Sequence, residues 1–178
     1  IDEAIATLRK LVELEPEADE AFGLLGDALM VMRRFDEAIE AYRQALKAAP
    51  DSPAHLLRLG RACLESGQLD QALAHLLQAR DARPDDAEIC REIGKTYEAR
   101  RQIDRALEAY ADAIRLEPRQ AENYFRAAMG HKALKQFGEA HRLLQRVVEL
   151  DPAHVEAHRQ LVQVAAFDLL HGHSFAPS

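Results

Sequence analysis

Apolar side chains recur along this chain at steps of three and four residues, in blocks separated by short polar turns. That spacing is the signature of helices with one buried face. Pairs of blocks bracket the turns MRRF, ESGQL, ARRQI and LKQF, and each pair ends near a proline. Proline cannot continue a helix and disfavours helix in the residue before it. The pattern therefore predicts helical hairpins, with a first helix A and a second helix B. Prolines fall at Pro16, Pro50, Pro84, Pro118 and Pro152, and alanines at Ala4, Ala38, Ala72, Ala106 and Ala140, both at intervals of 34 residues. Two residue types in phase at one interval define a stacked-repeat architecture. Gly26, Gly60 and Gly94 keep the same interval and let helix A lie close against helix B, since no Cβ intervenes. The periodic alanines do the same from helix B.

Composition narrows the classes. The 178 residues are 48% hydrophobic and 30% charged, which excludes a disordered chain and allows a sizeable core. Alanine, leucine, glutamate, arginine and glutamine dominate, a helix-forming mixture. The excess of arginine over lysine fits a GC-rich, bacterial gene. A formal net charge of −7 speaks against a general nucleic-acid binder. No apolar run approaches the roughly 18 residues of a membrane span, and no secretory signal is visible, so a cytoplasmic protein is expected.

Counted from the third residue after each proline, the full repeats are 19–52, 53–86, 87–120 and 121–154. Position 4 reads Phe22, Leu56, Cys90 and Tyr124; position 7 reads Leu25, Leu59, Ile93 and Ala127. Position 8 reads Gly26, Gly60, Gly94 and Ala128; position 24 reads Tyr42, Leu76, Tyr110 and Leu144. Position 27 reads Ala45, Ala79, Ala113 and Val147. This pattern resembles the tetratricopeptide repeat family over almost the whole chain. The fourth unit departs most, with Ala127, His131 and Val147 at core positions; His131 is expected to be a substituted core residue. The resemblance implies an all-α fold, a right-handed α-solenoid of stacked antiparallel helical hairpins.

The chain is expected to form one solenoid over 1–170. Residues 1–18 read as a half repeat, helix B alone, and 155–170 as a C-terminal capping helix. Residues 171–178 read as a tail or linker. Ile5, Leu8, Leu11, Val12 and Leu14 carry more apolar surface than the next helix A can cover. Either the chain is a segment of a longer protein, or another copy or a partner fills that socket.

In the family, A helices line a concave groove, and positions 2, 5, 9, 12 and 13 point into it. Carried onto this chain, with position 6 at the border, the resemblance implies a peptide-binding groove of Asp27, Leu57, Arg58, Arg61, Leu64, Arg91, Lys95, Glu98, Phe125, Arg126, Met129 and Lys132. Its middle reads as basic, interleaved with apolar side chains. Arginine holds carboxylates with paired hydrogen bonds, and large apolar residues supply anchoring contacts. The expected ligand is a protein or peptide segment carrying acidic and apolar residues. The carboxylate clamp of chaperone-binding relatives is not expected. It needs lysine and asparagine in one unit, and the only asparagine here is Asn123.

Other chemistry finds no support. His154 and His158 make half of a zinc site at most, and His171 and His173 lack thiolate support. Cys63 and Cys90 sit too far apart in register to pair and read as buried small residues. No nucleophile triad, phosphate loop or carboxylate pair stands out, so no catalysis and no cofactor are expected. The reading is a non-catalytic interaction module, a scaffold or adaptor. The alternatives are a recruiting or regulatory arm of a larger enzyme and a scaffold that self-assembles through its open N-terminal face.

Overall fold

The computed structural model describes residues 2–171, with side chains described over 2–167. Ten helices are present among the described residues: α1 Asp2–Leu14, α2 Asp19–Val31, α3 Phe35–Ala48, α4 Pro53–Glu65, α5 Leu69–Ala82, α6 Ala87–Ala99, α7 Ile103–Leu116, α8 Ala121–Ala133, α9 Phe137–Leu150 and α10 Val155–His171. The A helices α2, α4, α6, α8 and α10 begin at intervals of 34 residues, as do the B helices α3, α5, α7 and α9. No strand occurs among the described residues, and the fold is an all-α helical-repeat solenoid. The tail after His171, including His173, lies outside the described residues.

The starts are capped unevenly. Ser52 Oγ accepts from His55 N, with Pro53 in the first turn of α4. Asp86 Oδ1 accepts from Glu88 N (3.0 Å) and Ile89 N (3.2 Å) ahead of α6. His154 Nδ1 accepts from Ala157 N (3.1 Å) and so caps α10. Such bonds satisfy amides that have no partner inside the helix. At the other end, all four A-to-B turns close in the same way. Arg33, Gly67, Arg101 and Lys135 adopt positive φ, 34 residues apart. Arg34 N reaches Leu29 O and Arg33 N reaches Met30 O, and the same paired bonds recur in the other three turns. This is the Schellman closure, which usually takes glycine at the left-handed residue. Only the second repeat has glycine there.

The chain divides into two compact units, residues 1–96 and 97–178, with the division inside α6. In the first unit, α2 packs on α3 and α4 on α5, and α3 joins one hairpin to the next. Its core gathers Ile5, Leu25, Leu29, Ile39, Tyr42, Leu59 and Cys63 with Ala38, Ala62 and Ala72. Gly26 faces Tyr42 so closely that a Cβ there would lie 2.3 Å from the ring. In the second unit, one cluster holds Ala128, Leu144, Val147, Ala157 and Val164, joining α8, α9 and α10. Another joins Ala106, Tyr110 and Ala127. Cys63 and Cys90 are free and buried. His131 departs from its expected core place: it is half-buried and hydrogen-bonds Gln136 at the turn through Nδ1 (2.6 Å).

Candidate functional site

In the first unit the side chains named for the groove arise from α2, α4 and α6 at helical spacing. Asp27 and Arg58 meet first. Tyr42, on a B helix, donates its hydroxyl to Asp27 Oδ1 (2.7 Å), and Arg58 Nε lies 3.4 Å from Asp27 Oδ2. Burial, then the bond to the Asp27 carboxylate, pushes the Tyr42 phenol far up, so it stays a donor throughout the physiological range. Arg61 Nη1 pairs with Glu88 (3.0 Å), and its Nε lies 3.9 Å from Glu92. Glu92 in turn accepts from Lys95 (2.9 Å) and is itself buried. Asp27, Met30, Val31, Tyr42, Arg58 and Arg61 line an open cavity of about 210 Å³. Arg91 is half-buried on α6.

Two features differ from the expectation. The stripe read as basic is charge-compensated, because Glu20, Asp27, Glu88 and Glu92 approach Arg58, Arg61 and Lys95. A glutamate at position 2 or 6 of α6 reaches back to the arginine of the A helix before it. Leu57 is buried, so little of it is left for a ligand, and Leu64 is partly buried against the core. Met30 and Val31 are the apolar side chains at the cavity instead.

Beneath this face lies a buried hydrogen-bonded histidine that sequence reasoning leaves unassigned. Arg58 Nη1 sits 3.3 Å from His55 Nδ1, and a guanidinium can only donate. Nδ1 therefore accepts, and Nε2–H donates to Asp19 Oδ2 (3.0 Å). Gly23 leaves the space: a Cβ there would come within 3.0 Å of Arg58 Nη1. Asp19, Glu20 and His55 bring possible ligand atoms within 4.8 Å of one another. The Arg58 guanidinium beside them makes the group an ion-paired bracket between α2 and α4 rather than a metal centre. A signal for His55 does exist, since position 3 is buried in every repeat, as Ala21, His55, Ile89 and Asn123. Asn123 likewise spends its amide inside the fold, donating to Ala113 O (3.2 Å).

The His55 hydrogen bond holds the Asp19 carboxyl below its ordinary value of 3.8. A depressed carboxyl adds stability that is fully present above pH 3.8 and is lost as pH falls through the lowered value. Asp19→Asn is therefore expected to flatten the acid limb of the urea-midpoint profile below pH 3.8. An unchanged acid limb would contradict the role given to this bond.

In the second unit, Glu98 accepts from the Tyr110 hydroxyl (2.7 Å). On α8, Phe125, Met129 and Lys132 share one helical face. Phe125 stacks on the His154 ring at 4.8 Å between centroids. Arg126 Nε donates to Glu122 (2.7 Å). Lys132 Nζ donates to the side-chain oxygens of Gln160 and Gln163 on α10.

Repeats that pack on one another and display paired polar and apolar side chains from successive A helices define a helical-repeat binding module. Residues 24–87 match one tetratricopeptide repeat profile and residues 87–120 a second, together more than half of the chain. The chain belongs to the tetratricopeptide repeat family. No curated protein matches it in sequence. Solved structures show the same fold. MamA from Desulfovibrio magneticus RS-1 is 23% identical, with TM-score 0.80 over 86% of this chain and 87% of its own. YrrB, described as a TPR protein with an unusual peptide-binding site, is 23% identical, with TM-score 0.75 over 89% of this chain and 82% of its own. A thermophilic TPR protein of Thermus thermophilus is 19% identical, with TM-score 0.76 over 93% of this chain and 90% of its own. These repeats are protein-interaction modules. No helix among the described residues is long and apolar enough to cross a membrane.

Proposed function

We propose that this chain is a non-catalytic scaffold or adaptor that captures a partner segment on its A-helix face. The segment carries apolar side chains with carboxylates beside them. The observation that carries the reading is the cavity formed by Met30, Val31 and Tyr42 with Arg58 and Arg61 at its rim. The acidic residues that compensate these arginines do not block a ligand. Arg61 and Glu88 are both close to half exposed, and such ion pairs contribute only about 0–1 kcal/mol. A ligand carboxylate can exchange for Glu88 at little cost. Affinity purification with the chain as bait, read by mass spectrometry, tests this. Partners bound by the unmodified chain are expected to be lost with Arg61→Ala/Arg91→Ala. Equal recovery of the same partners by the double variant would refute the groove assignment.

A second reading, self-association, is favoured by α1. Leu11 is 37% exposed, whereas its repeat equivalents Ala45, Ala79, Ala113 and Val147 are each 0% exposed. Leu14 is 72% exposed beside it. The B helices α3, α5 and α9 each pack on the A helix before them, and α10 is an A-type helix by register. A second copy thus carries a suitable cover. Light scattering is expected to show mass rising with concentration, and Leu11→Glu is expected to abolish the rise. A monomer mass at every concentration would exclude it.

A further inference from the structure

The compensation of charge on the A-helix face is not uniform. Arg58, Arg61, Lys95 and Arg126 each approach a carboxylate. Among the described residues Lys132 does not: its two hydrogen bonds go to the uncharged amide oxygens of Gln160 and Gln163. Lysine can only donate, so both amides must turn their oxygens toward Nζ and their NH₂ groups away. Gln160 then spends its NH₂ on Glu156 (2.6 Å). The exposed Gln163 turns its NH₂ away from Nζ. An ammonium has three donors, and two are engaged, which leaves one. Lys132 and Gln163 therefore hold two adjacent donors beside one positive charge that no carboxylate pairs with among the described residues.

We infer that Lys132, oriented by Gln160 and Gln163, is a carboxylate-binding site of the second unit. Phe125 and Met129 are partly buried against the second unit's core, and the surface they leave exposed takes the ligand's neighbouring apolar side chain. The inference rests on the binding reading above and adds a second charged contact, on α8 and α10. One carboxylate oxygen accepts from Nζ and the other from the Gln163 amide, the paired geometry that carboxylates favour. The local balance favours an anion, since Glu122 is matched by Arg126 and Glu156 by Arg159. Phe125 precedes Lys132 by two helical turns, about 10 Å along α8. An extended peptide spans that in about three residues. The ligand is thus a peptide whose carboxylate lies two or three residues from a large apolar side chain. The carboxylate can belong to an acidic side chain or to a chain terminus.

Backbone and side-chain amide NMR of the 178-residue chain tests this with four probes. Acetyl-Phe-Gly-Asp-amide carries the side-chain carboxylate and acetyl-Phe-Gly-Gly the terminal one. Acetyl-Phe-Gly-Asn-amide and acetyl-Phe-Gly-Gly-amide are the neutral controls. At least one acidic probe is expected to shift the Gln163 and Gln160 NH₂ signals and the Lys132 amide, binding roughly tenfold more tightly than its control. Which acidic probe does so names the source of the carboxylate. Lys132→Met is expected to erase the preference, Lys132→Arg to keep it, and Lys47→Met, at an exposed position on α3, to leave it unaltered. Equal binding of acid and amide, survival of the preference in Lys132→Met, or acid-specific shifts confined to Arg58 and Arg61 would each overturn the inference. The last outcome would leave the wider binding reading standing. Loss of partner capture in Arg61→Ala/Arg91→Ala decides that reading separately.

Discussion

Gly26→Ala is expected to destabilise the chain by about 1–3 kcal/mol, through overpacking of a rigid contact. The added methyl would meet Tyr42 Cε1 at 2.3 Å and Cζ at 2.6 Å. Those atoms belong to a ring buried to 1% exposure and tied to Asp27 through its hydroxyl, so it cannot swing aside. The fourth repeat shows how the conflict is relieved. There the equivalent pair is Ala128 against Leu144, both fully buried in one cluster. Tyr42→Leu alone loses the Asp27 bond and leaves space, at about 2 kcal/mol. The double variant Gly26→Ala/Tyr42→Leu recreates the fourth repeat's pairing. It is expected to lose at least about 1 kcal/mol less than the sum of the single changes. Urea midpoints measure all three. Strict additivity would mean that the two residues do not press on one another.

Lys95→Met is the second change with a large expected effect. The Glu92 side chain is only 6% exposed and accepts from Lys95 at 2.9 Å. Arg61, at 3.9 Å and half exposed, is too distant to replace that bond. Removing the ammonium leaves a buried carboxylate short of its main partner, at an expected cost of about 2–3 kcal/mol. Glu92→Leu/Lys95→Met removes both charges and is expected to return within about 1 kcal/mol of the unmodified chain. An unchanged midpoint in Lys95→Met would show that Glu92 is satisfied without it. The pair also bears on function, because a binding defect in a Lys95 variant has to be separated from this loss of stability.

Most of the fold is legible in the sequence because it is written in a period. The prolines, alanines and glycines fix the helix ends and the close A-to-B contacts without any knowledge of partners. The site is less legible, because charge at a position does not say what lies beside it. Arg61 reads as a free cation because Glu88 and Glu92 sit about one repeat away in sequence and next to it in space. Leu57 reads as an anchor, but the packing of the hairpins buries it. His55 and Asn123 read as unremarkable polar residues, although their shared register marks them as buried. Arg33, Arg101 and Lys135 at left-handed turns carry no signal of their own. Only Gly67 in the second repeat hints at the geometry all four turns share.

Partners are expected to engage the A-helix face. A photo-reactive p-benzoylphenylalanine placed at Val31, 68% exposed at the cavity, tests it against the same group at the exposed Glu40 on α3. Irradiation of each variant with its partner extract is expected to yield a covalent adduct from position 31 and none from position 40. Adducts from position 40 alone, or equally from both, would contradict it.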